Sequence, residues 1–314
     1  MPKVAMIFPG QGAQTVGMLA DLANKFSIVK HIFSEASIVL GYDLWKLVQD
    51  GPAKKLNQTW KTQPALLAAS ISIYSVWQQH HGPQPIIVAG HSLGEYSALV
   101  CANVLDFQQA ILLVELRGKL MNEAVPAENS AMFAILGLNK EKIIKVCLEL
   151  MPEEMVFPVN FNSPSQVVIA GDRDAVERAS ILCMSIGAKR AIRLPVNVPS
   201  HCIMMKTAAE KLLITLKKIK FNVPKFAVIN NVDVKVSYSP SEIRNALVRQ
   251  MYNPVLWNDS IELIASLGVK YILEVGPGNI LTSLAKRTIT TTTAIAINDS
   301  SSLSFALAQV QREI

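Results

Sequence analysis

The sequence predicts an α/β fold in two parts, a large subdomain and a smaller one inserted into it. Short apolar runs that end in turn residues alternate with helical patterns along the chain, which is typical of α/β proteins. One run, 86–89, passes through Gly90-His91-Ser92-Leu93-Gly94 into a helical pattern, and the stretch 131–195 follows the order βαββαβ. We therefore expect residues 1–127 and 198–314 to form the large subdomain and residues 128–197 the insert.

Composition indicates a globular protein with an ample core. Half of the 314 residues are hydrophobic and 17% are charged, and no apolar run reaches the length of a membrane-spanning helix. Residues 1–9 are too short an apolar segment for a signal peptide and are expected to contain a first strand. The sequence thus predicts a protein without a membrane partner.

The cysteines and histidines argue against disulfides or a metal site. The four cysteines are widely spaced, without a CxxC pair, and the five histidines lack metal-ligand spacing. Buried thiols in a reducing compartment are the simpler interpretation, so we expect a cytoplasmic protein. The net charge of +6 suits an anionic ligand or an acidic partner protein, and no basic-aromatic motif accompanies it that would indicate nucleic acid.

A glycine-rich turn follows the first predicted strand. Residues 3–8 are a β-rich apolar run, and Pro9-Gly10-Gln11-Gly12 comes directly after it. The glycines lack the GxGxxG spacing of a dinucleotide site. A turn at the carboxyl end of a central strand places backbone N–H groups and Gln11 where open α/β sheets bind ligands, although a plain turn is the alternative. Helices are expected next, over 21–48 with a break and from Gln63 to residue 79.

Ser92 lies in the central motif of the chain. Strand, G-x-S-x-G and helix in that order make a nucleophile elbow, in which a strained turn exposes the serine Oγ at the edge of the sheet. The first helical N–H groups beside it have no partner within the helix and suit developing negative charge. The bare pattern is common, so an ordinary strand–helix loop is the alternative; the flanking strand and helix favour a nucleophile.

Arg117 falls on the inward stripe of a helix predicted over 106–123, for which Asp106 is the candidate N-cap. A buried guanidinium cannot lose its charge and needs an anionic partner. The helix alone leaves two interpretations open. One is an internal salt bridge, for which Glu95 is a candidate, and the other is a clamp for a substrate carboxylate.

The insert is predicted to be ferredoxin-like, because βαββαβ within about 65 residues is the order of that fold. Its elements are expected as strand 131–138, helix 140–151, strands 155–161 and 166–170, helix 174–186 and strand 189–195. Residues 162–165 would form the turn between the middle strands, and 124–126 and 196–199 would be the two hinges.

His201 is the candidate base. It is the one histidine in the second half of the chain, and it lies between an extended segment and a helical pattern over 203–216. It also follows Ser92 in chain order, as the base does in elbow folds, although a lone histidine is more often structural. The remaining elements are expected as strands over 226–232, 271–275 and 293–298 and helices over 241–251, 255–267 and 280–286.

Seven motifs occur in order along the chain: PGQGAQ (9–14), TQPA (62–65), GHSLGEYSA (90–98), LRG (116–118), NFNSPSQVVIAG (160–171), VPSHC (198–202) and EVGPG (274–278). Together they resemble the malonyl-CoA:acyl carrier protein transacylase family of type II fatty-acid synthesis. The resemblance covers nearly the whole chain. It implies an α/β-hydrolase-like large subdomain with a ferredoxin-like insert, in agreement with the patterns above.

The resemblance also implies roles for particular residues. By it, Ser92 is the nucleophile, His201 the general base and Arg117 the partner of the malonyl carboxylate. The other implied roles are an oxyanion hole from the backbone N–H groups of Gln11 and Leu93, a place for Gln63 on the wall of the acyl site, a Gln250 backbone carbonyl that orients the histidine, and a position facing the substrate cleft for Asn160 and Asn162.

The implied reaction is a ping-pong transfer. Malonyl-CoA would acylate Ser92, CoA would leave, and the phosphopantetheine thiol of an acidic acyl carrier protein would attack the ester. No cofactor or metal is expected, and the protein is expected to be a monomer. Two alternatives remain open: a serine esterase or thioesterase, which would give Arg117 no task and leave the insert unexplained, and a non-enzymatic module that docks a carrier protein.

Overall fold

The computed structural model describes residues 3–151, 153–196 and 198–311. Within these ranges the strands are β1 Val4–Phe8, β2 Ile87–Gly90, β3 Ser130–Leu136, β4 Val156–Ser163, β5 Gln166–Asp172, β6 Arg190–Arg193, β7 Ala227–Ile229, β8 Tyr271–Val275 and β9 Thr293–Ile297. The helices are α1 Ala20–Lys25, α2 Ser27–Leu40, α3 Leu44–Asp50, α4 Ala53–Leu56, α5 Thr59–Gln79, α6 Gly94–Cys101, α7 Phe107–Ala124, α8 Lys140–Leu150, α9 Arg173–Ser185, α10 Lys206–Leu216, α11 Pro240–Gln250, α12 Trp257–Ser266, α13 Ile280–Thr288 and α14 Ser300–Gln311.

The large sheet is parallel and has the order β7-β2-β1-β8-β9. All five residues of the central strand β1 are buried. Because successive side chains of a strand point to opposite faces, Val4, Met6 and Phe8 belong to one apolar core and Ala5 and Ile7 to another. Helices cover both cores, which explains why the strands of this sheet are continuous apolar runs rather than alternating ones.

The second sheet is antiparallel, with the order β4-β5-β3-β6. Together with α8 and α9 it gives the chain order βαββαβ, and the predicted two-part α/β architecture is confirmed. The sheet is also tied to the large subdomain: the Phe161 N–H donates to the Val255 carbonyl, and the Val255 N–H donates to the Val159 carbonyl, each at 2.9 Å. Val255 lies just before α12, so these bonds join β4 directly to the large subdomain.

Several predicted boundaries were wrong by a few residues. Strand β4 continues through Asn162 and Ser163, and Ser163 pairs with Gln166. The turn predicted over four residues is therefore reduced to two, which is enough for an antiparallel hairpin. Helix α5 begins at Thr59 rather than at Gln63, so Pro64, which lacks the N–H that would donate to the Trp60 carbonyl, lies inside the helix.

Other elements differ in kind or fall outside the description. The helix predicted over 203–216 opens with a short 3-10 turn, Ile203–Met205. Helix α14 was missed, although its buried residues Leu303, Ala306, Leu307 and Val310 have helical spacing. Residues 1, 197 and 314, at which predicted subdomains begin or end, lie outside the described residues. Residue 197 also belongs to the predicted hinge 196–199. No described helix is both long and apolar enough to cross a bilayer.

The register of β1 and β2 brings two turns together at one end of the sheet. Phe8 pairs with Gly90, and the His91 N–H donates to the Phe8 carbonyl at 3.0 Å. A Cβ added to Gly90 would lie 1.8 Å from the Gly94 carbonyl carbon, and one added to Gly94 would lie 2.0 Å from the Phe8 carbonyl oxygen. The two glycines of G-x-S-x-G therefore let strand, elbow and helix pack backbone against backbone.

We expect Gly94→Ala to lower the free energy of unfolding by about 3 kcal/mol, because the new methyl meets backbone that cannot move aside. The matched control is Gly41→Ala at the end of α2. Gly41 has φ of 72° but nothing within 4 Å of an added Cβ, so only the backbone conformation costs energy, about 1 kcal/mol. Urea unfolding of the two variants measures the difference. Equal losses would contradict the steric argument.

Candidate active site

Ser92 and His201 form a hydrogen-bonded pair, although 108 other residues separate them in the chain. Ser92 Oγ lies 2.7 Å from His201 Nε2. His201 Nδ1 lies 2.7 Å from the Gln250 backbone carbonyl. Because a carbonyl only accepts, the proton must be on Nδ1, which leaves the Nε2 lone pair facing the serine hydroxyl. This geometry suits a base that removes the hydroxyl proton.

Both members of the pair have a strained backbone. Ser92 has φ of 53° and His201 has φ of 66°, a left-handed conformation that costs energy in residues with a Cβ.

Burial and, secondarily, the charge of Arg117 lower the pKa of His201 to about 3. The imidazole is therefore neutral at pH 7 and available as a proton acceptor.

Arg117 lies directly beside the nucleophile and is 1% exposed. Its guanidinium donates to Ser92 Oγ at 3.2 Å, to Gln63 Oε1 at 2.9 Å and to Gln250 Oε1 at 3.0 Å. No carboxylate of the described residues is within 4.0 Å of it, so the direct salt bridge with Glu95 considered from the sequence is wrong. The side-chain amide of Gln250 lies between the two charged groups.

Two backbone N–H groups border the same space. Leu93 immediately precedes α6, and Gln11 lies in the turn after β1. Among the described residues neither N–H has a hydrogen-bond acceptor, as is usual for the first groups of a helix. Both residues line a cavity of about 80 Å³ together with Ser92, Arg117 and His201. The arrangement can therefore stabilise an oxyanion formed next to the serine.

A wider cavity of about 400 Å³ adjoins the inner one and shares residues such as Gln11 and Asn160 with it. Its walls come from the small sheet, from the turns after β1 and β2 and from α13. Asn160 Oδ1 is buried and has no partner among the described residues, and Asn162 Oδ1 accepts from His91 Nε2 at 2.8 Å. Both asparagines line the wider cavity.

Gln63 differs from its expected place. It is 1% exposed and holds Arg117, and its own amide nitrogen lies 3.6 Å from Met121 Sδ. It lies behind the arginine and not among the residues that line either cavity. Gln250 contributes more than the expected backbone carbonyl, because its side chain also contacts Arg117 and the Ser92 carbonyl, the latter at 3.0 Å.

Comparison with known proteins shows the family of the chain. A family model described as an acyl transferase domain matches residues 5–305. A malonyl CoA-acyl carrier protein transacylase from Escherichia coli (strain K12) is 58% identical over 307 residues, which cover 98% of this chain and 99% of that protein. One from Haemophilus influenzae is 60% identical over 301 residues, 95% and 96% of the two chains. The chain belongs to the malonyl CoA-acyl carrier protein transacylase family. It is thus an acyltransferase, and the resemblance seen in the sequence is confirmed.

Solved structures of the transacylase family share the fold over the whole length. An acyl carrier protein S-malonyltransferase from Vibrio cholerae has a TM-score of 0.94 at 58% identity and covers 97% of this chain and 99% of its own. A malonyl-transacylase in complex with a type II PKS acyl-carrier protein has a TM-score of 0.96 at 59% identity, with coverage of 98% and 99%.

Asn231 is a site residue that the sequence analysis missed in this transacylase. It lies just after β7, and its Oδ1 accepts from the Ser92 N–H at 2.7 Å while its Nδ2 donates to the Gly90 carbonyl, also at 2.7 Å. Asn231 thereby braces the elbow, because it hydrogen-bonds to the backbone at Ser92 and at Gly90, on either side of His91. Because β7 pairs with β2, the two strand ends meet, but no sequence pattern reveals that neighbourhood.

We expect Asn231→Ala to slow labelling of Ser92 by a fluorophosphonate about tenfold and to lower the free energy of unfolding by about 1–3 kcal/mol, because a buried N–H loses its acceptor. Asn230→Ala is the matched control, since the neighbouring side chain bonds to the Lys235 carbonyl and the Asp233 N–H and not to the elbow. Labelling rates and urea unfolding provide the measurements. Similar effects of the two substitutions would show that Asn231 does not brace the elbow.

Proposed function

We propose that Ser92, His201 and Arg117 carry the malonyl transfer of this acyltransferase family: from malonyl-CoA to Ser92, and from Ser92 to the phosphopantetheine thiol of acyl carrier protein. The observation that carries the proposal is the place of Arg117. Its guanidinium is buried, lies 3.2 Å from the nucleophile and contacts only neutral oxygens among the described residues. A site with this composition lacks one anion, and a malonyl carboxylate supplies it.

In the first half-reaction Ser92 Oγ attacks the thioester carbonyl while His201 Nε2 takes the hydroxyl proton. The carbonyl electrons move onto oxygen, where the N–H groups of Gln11 and Leu93 stabilise them by about 3–4 kcal/mol each. The intermediate then collapses by breaking the carbon–sulfur bond. His201 returns its proton to the sulfur, and CoA leaves as the thiol.

The second half-reaction runs the same steps with a new thiol. His201 takes the proton of the carrier-protein thiol, and the sulfur attacks the ester carbon on Ser92. Collapse of the second oxyanion breaks the bond to Oγ, which recovers the proton from His201. These steps need only the side chains and backbone groups named, so no cofactor is required.

Arg117 determines the choice of acyl group. A guanidinium can hold a carboxylate through two parallel hydrogen bonds. The malonyl carboxylate is one carbon away from the reacting carbonyl, and Arg117 lies beside Ser92 Oγ, so both ends of the group fit the inner cavity of about 80 Å³. An acetyl group would leave the buried charge without an anion, at a cost of several kcal/mol.

The wider cavity suits the pantetheine arm that CoA and the carrier protein share. Its walls combine apolar side chains such as Val168 and Leu284 with amide side chains such as Gln11 and Asn162, which suits an arm that carries both methylene and amide groups. At its edge Arg287 donates to Gln166 at 3.1 Å, which places a cation near the opening. A cation there, with the net charge of +6, favours the CoA phosphates and an acidic carrier protein.

We also propose that the protein acts as a monomer, without nucleic acid or membrane as a partner. The four cysteines are free and buried, which supports a reducing compartment such as the cytoplasm. A hydrolytic esterase is the weaker candidate, because it has no use for a cation beside the nucleophile.

The central test is the adduct formed with malonyl-CoA. We expect the intact mass of the protein to rise by one malonyl group, located on Ser92 by peptide mapping, and we expect pantetheine thiol but not water to discharge it within the assay. The Ser92→Ala variant should gain no mass. Rapid hydrolysis without thiol would support an esterase, and an adduct at another residue would contradict the assignment.

Replacing Arg117 tests the clamp. We expect Arg117→Ala to lower kcat/KM for malonyl-CoA about 100-fold and to raise acetyl transfer, because the charge that selects the carboxylate is gone. Lys119→Ala is the matched control: it removes a cation two residues along α7 whose ammonium pairs with Glu115 at 2.8 Å. Stopped assays with both CoA esters give the ratio. An unchanged malonyl-to-acetyl ratio in Arg117→Ala would contradict the clamp.

A further inference from the structure

A buried carboxylate, Glu95, lies behind the site and takes no part in the steps above. It is 2% exposed and does not line the cavity that contains Ser92. Its Oε2 accepts from Gln250 Nε2 at 2.8 Å and from the Asn231 N–H at 3.0 Å. Glu95 therefore cannot touch the acyl group, but it contacts the amide that does touch Arg117.

The Gln250 amide has two ends with opposite hydrogen-bonding character. Its nitrogen faces acceptors only: Glu95 Oε2, the Ser92 carbonyl and Asn231 Oδ1, the last at 3.3 Å. Its oxygen faces the Arg117 guanidinium at 3.0 Å. The bond to the carboxylate is the shortest of the three and is charge-assisted, which makes it about twice as strong as a neutral one. Reversal of the amide would place oxygen against oxygen.

We propose that Glu95 is a positioning residue that sets the preference of Arg117 for a carboxylate-bearing acyl group, acting through the Gln250 side-chain amide. The inference rests on the proposed function of Arg117. Ionised Glu95 holds the amide nitrogen, and the amide oxygen then fixes the guanidinium NH2 that also donates to Ser92 Oγ. Arg117 Nε keeps no partner among the described residues.

The charge on Glu95 depends on pH near neutrality. Burial raises the pKa of this carboxyl to about 7, against the lowering effect of its bonds to Gln250 and Asn231 and of the Arg117 charge. The other charged groups that face Glu95 are Asp233 and Lys235, which follow β7, and Arg249 of α11, which pairs with Asp233. Above its pKa Glu95 holds the amide through a charge-assisted hydrogen bond, and below it the neutral acid can accept only a weaker one. The preference for malonyl is thus expected to weaken as pH falls.

The test is the ratio of kcat/KM for malonyl-CoA to that for acetyl-CoA, measured as Ser92 acylation from pH 6 to 8. The ratio cancels the titration of the CoA phosphates, which both substrates share, and the pKa of His201 lies far below this range. In the unaltered protein we expect the ratio to fall about tenfold from pH 8 to pH 6, as for the loss of one charge-assisted hydrogen bond.

The variant Glu95→Gln keeps the shape and removes the charge. We expect its ratio at pH 8 to be about tenfold lower, through loss of malonyl acylation at unchanged acetyl acylation, and to be independent of pH. Glu115→Gln is the matched control, because this acid is 9% exposed on α7 and pairs with Lys119 but does not contact Gln250. Its ratio should follow that of the unaltered protein.

Three outcomes would overturn the inference. They are a ratio that stays flat with pH in the unaltered protein, an unchanged ratio in Glu95→Gln, and an equal loss of both reactions in that variant, which would mean that Glu95 only supports the elbow through Asn231. The pH series needs no substitution and so decides the matter even if the variant fails to fold. Absence of malonyl-Ser92 in the unaltered protein would instead overturn the proposed function, and this inference with it.

Discussion

The contact between the carboxyl ends of β1 and β2 is the constraint on which the whole site depends. Gly90 and Gly94 leave no room for a side chain between the strand, the elbow and the Phe8 carbonyl. Because the backbones touch there, the turn after β1 and the N-terminus of α6 border one space. Ser92, its left-handed backbone and the N–H groups of Gln11 and Leu93 all take their positions from that contact.

Around this site neutral amide groups, rather than carboxylates, orient the histidine and hold the arginine. A backbone carbonyl orients His201, and the side chains of Gln63 and Gln250 hold Arg117. A carboxylate in direct contact with the guanidinium would have satisfied its charge and left nothing for an anionic acyl group. The Gln250 amide separates Glu95 from Arg117, so this carboxylate does not occupy the position that an anionic acyl group would take beside the guanidinium.

The chemistry could be predicted from the sequence because it resides in short patterns. Ser92 lies in a strand–turn–helix motif, Arg117 on the inward face of a periodic helix, and the insert in an ordered set of apolar runs. The missed parts depend on contacts between distant segments. Asn231 and Glu95 meet only because β7 lies beside β2, and Gln63 lies behind Arg117 because of how α5 packs on α7. No local pattern encodes such contacts.

The backbone bonds between β4 and Val255 have a mechanical consequence. They make one edge of the small sheet a continuation of the large subdomain, so that edge forms a fixed wall for the wider cavity. On the other face of the small sheet, Cys202 and Met204 of the large subdomain pack against Met132 and Ala134, so the insert is held there as well. The width of the wider cavity is therefore set by a hydrogen-bonded frame that joins the two sheets, rather than by the closure of two independent lobes.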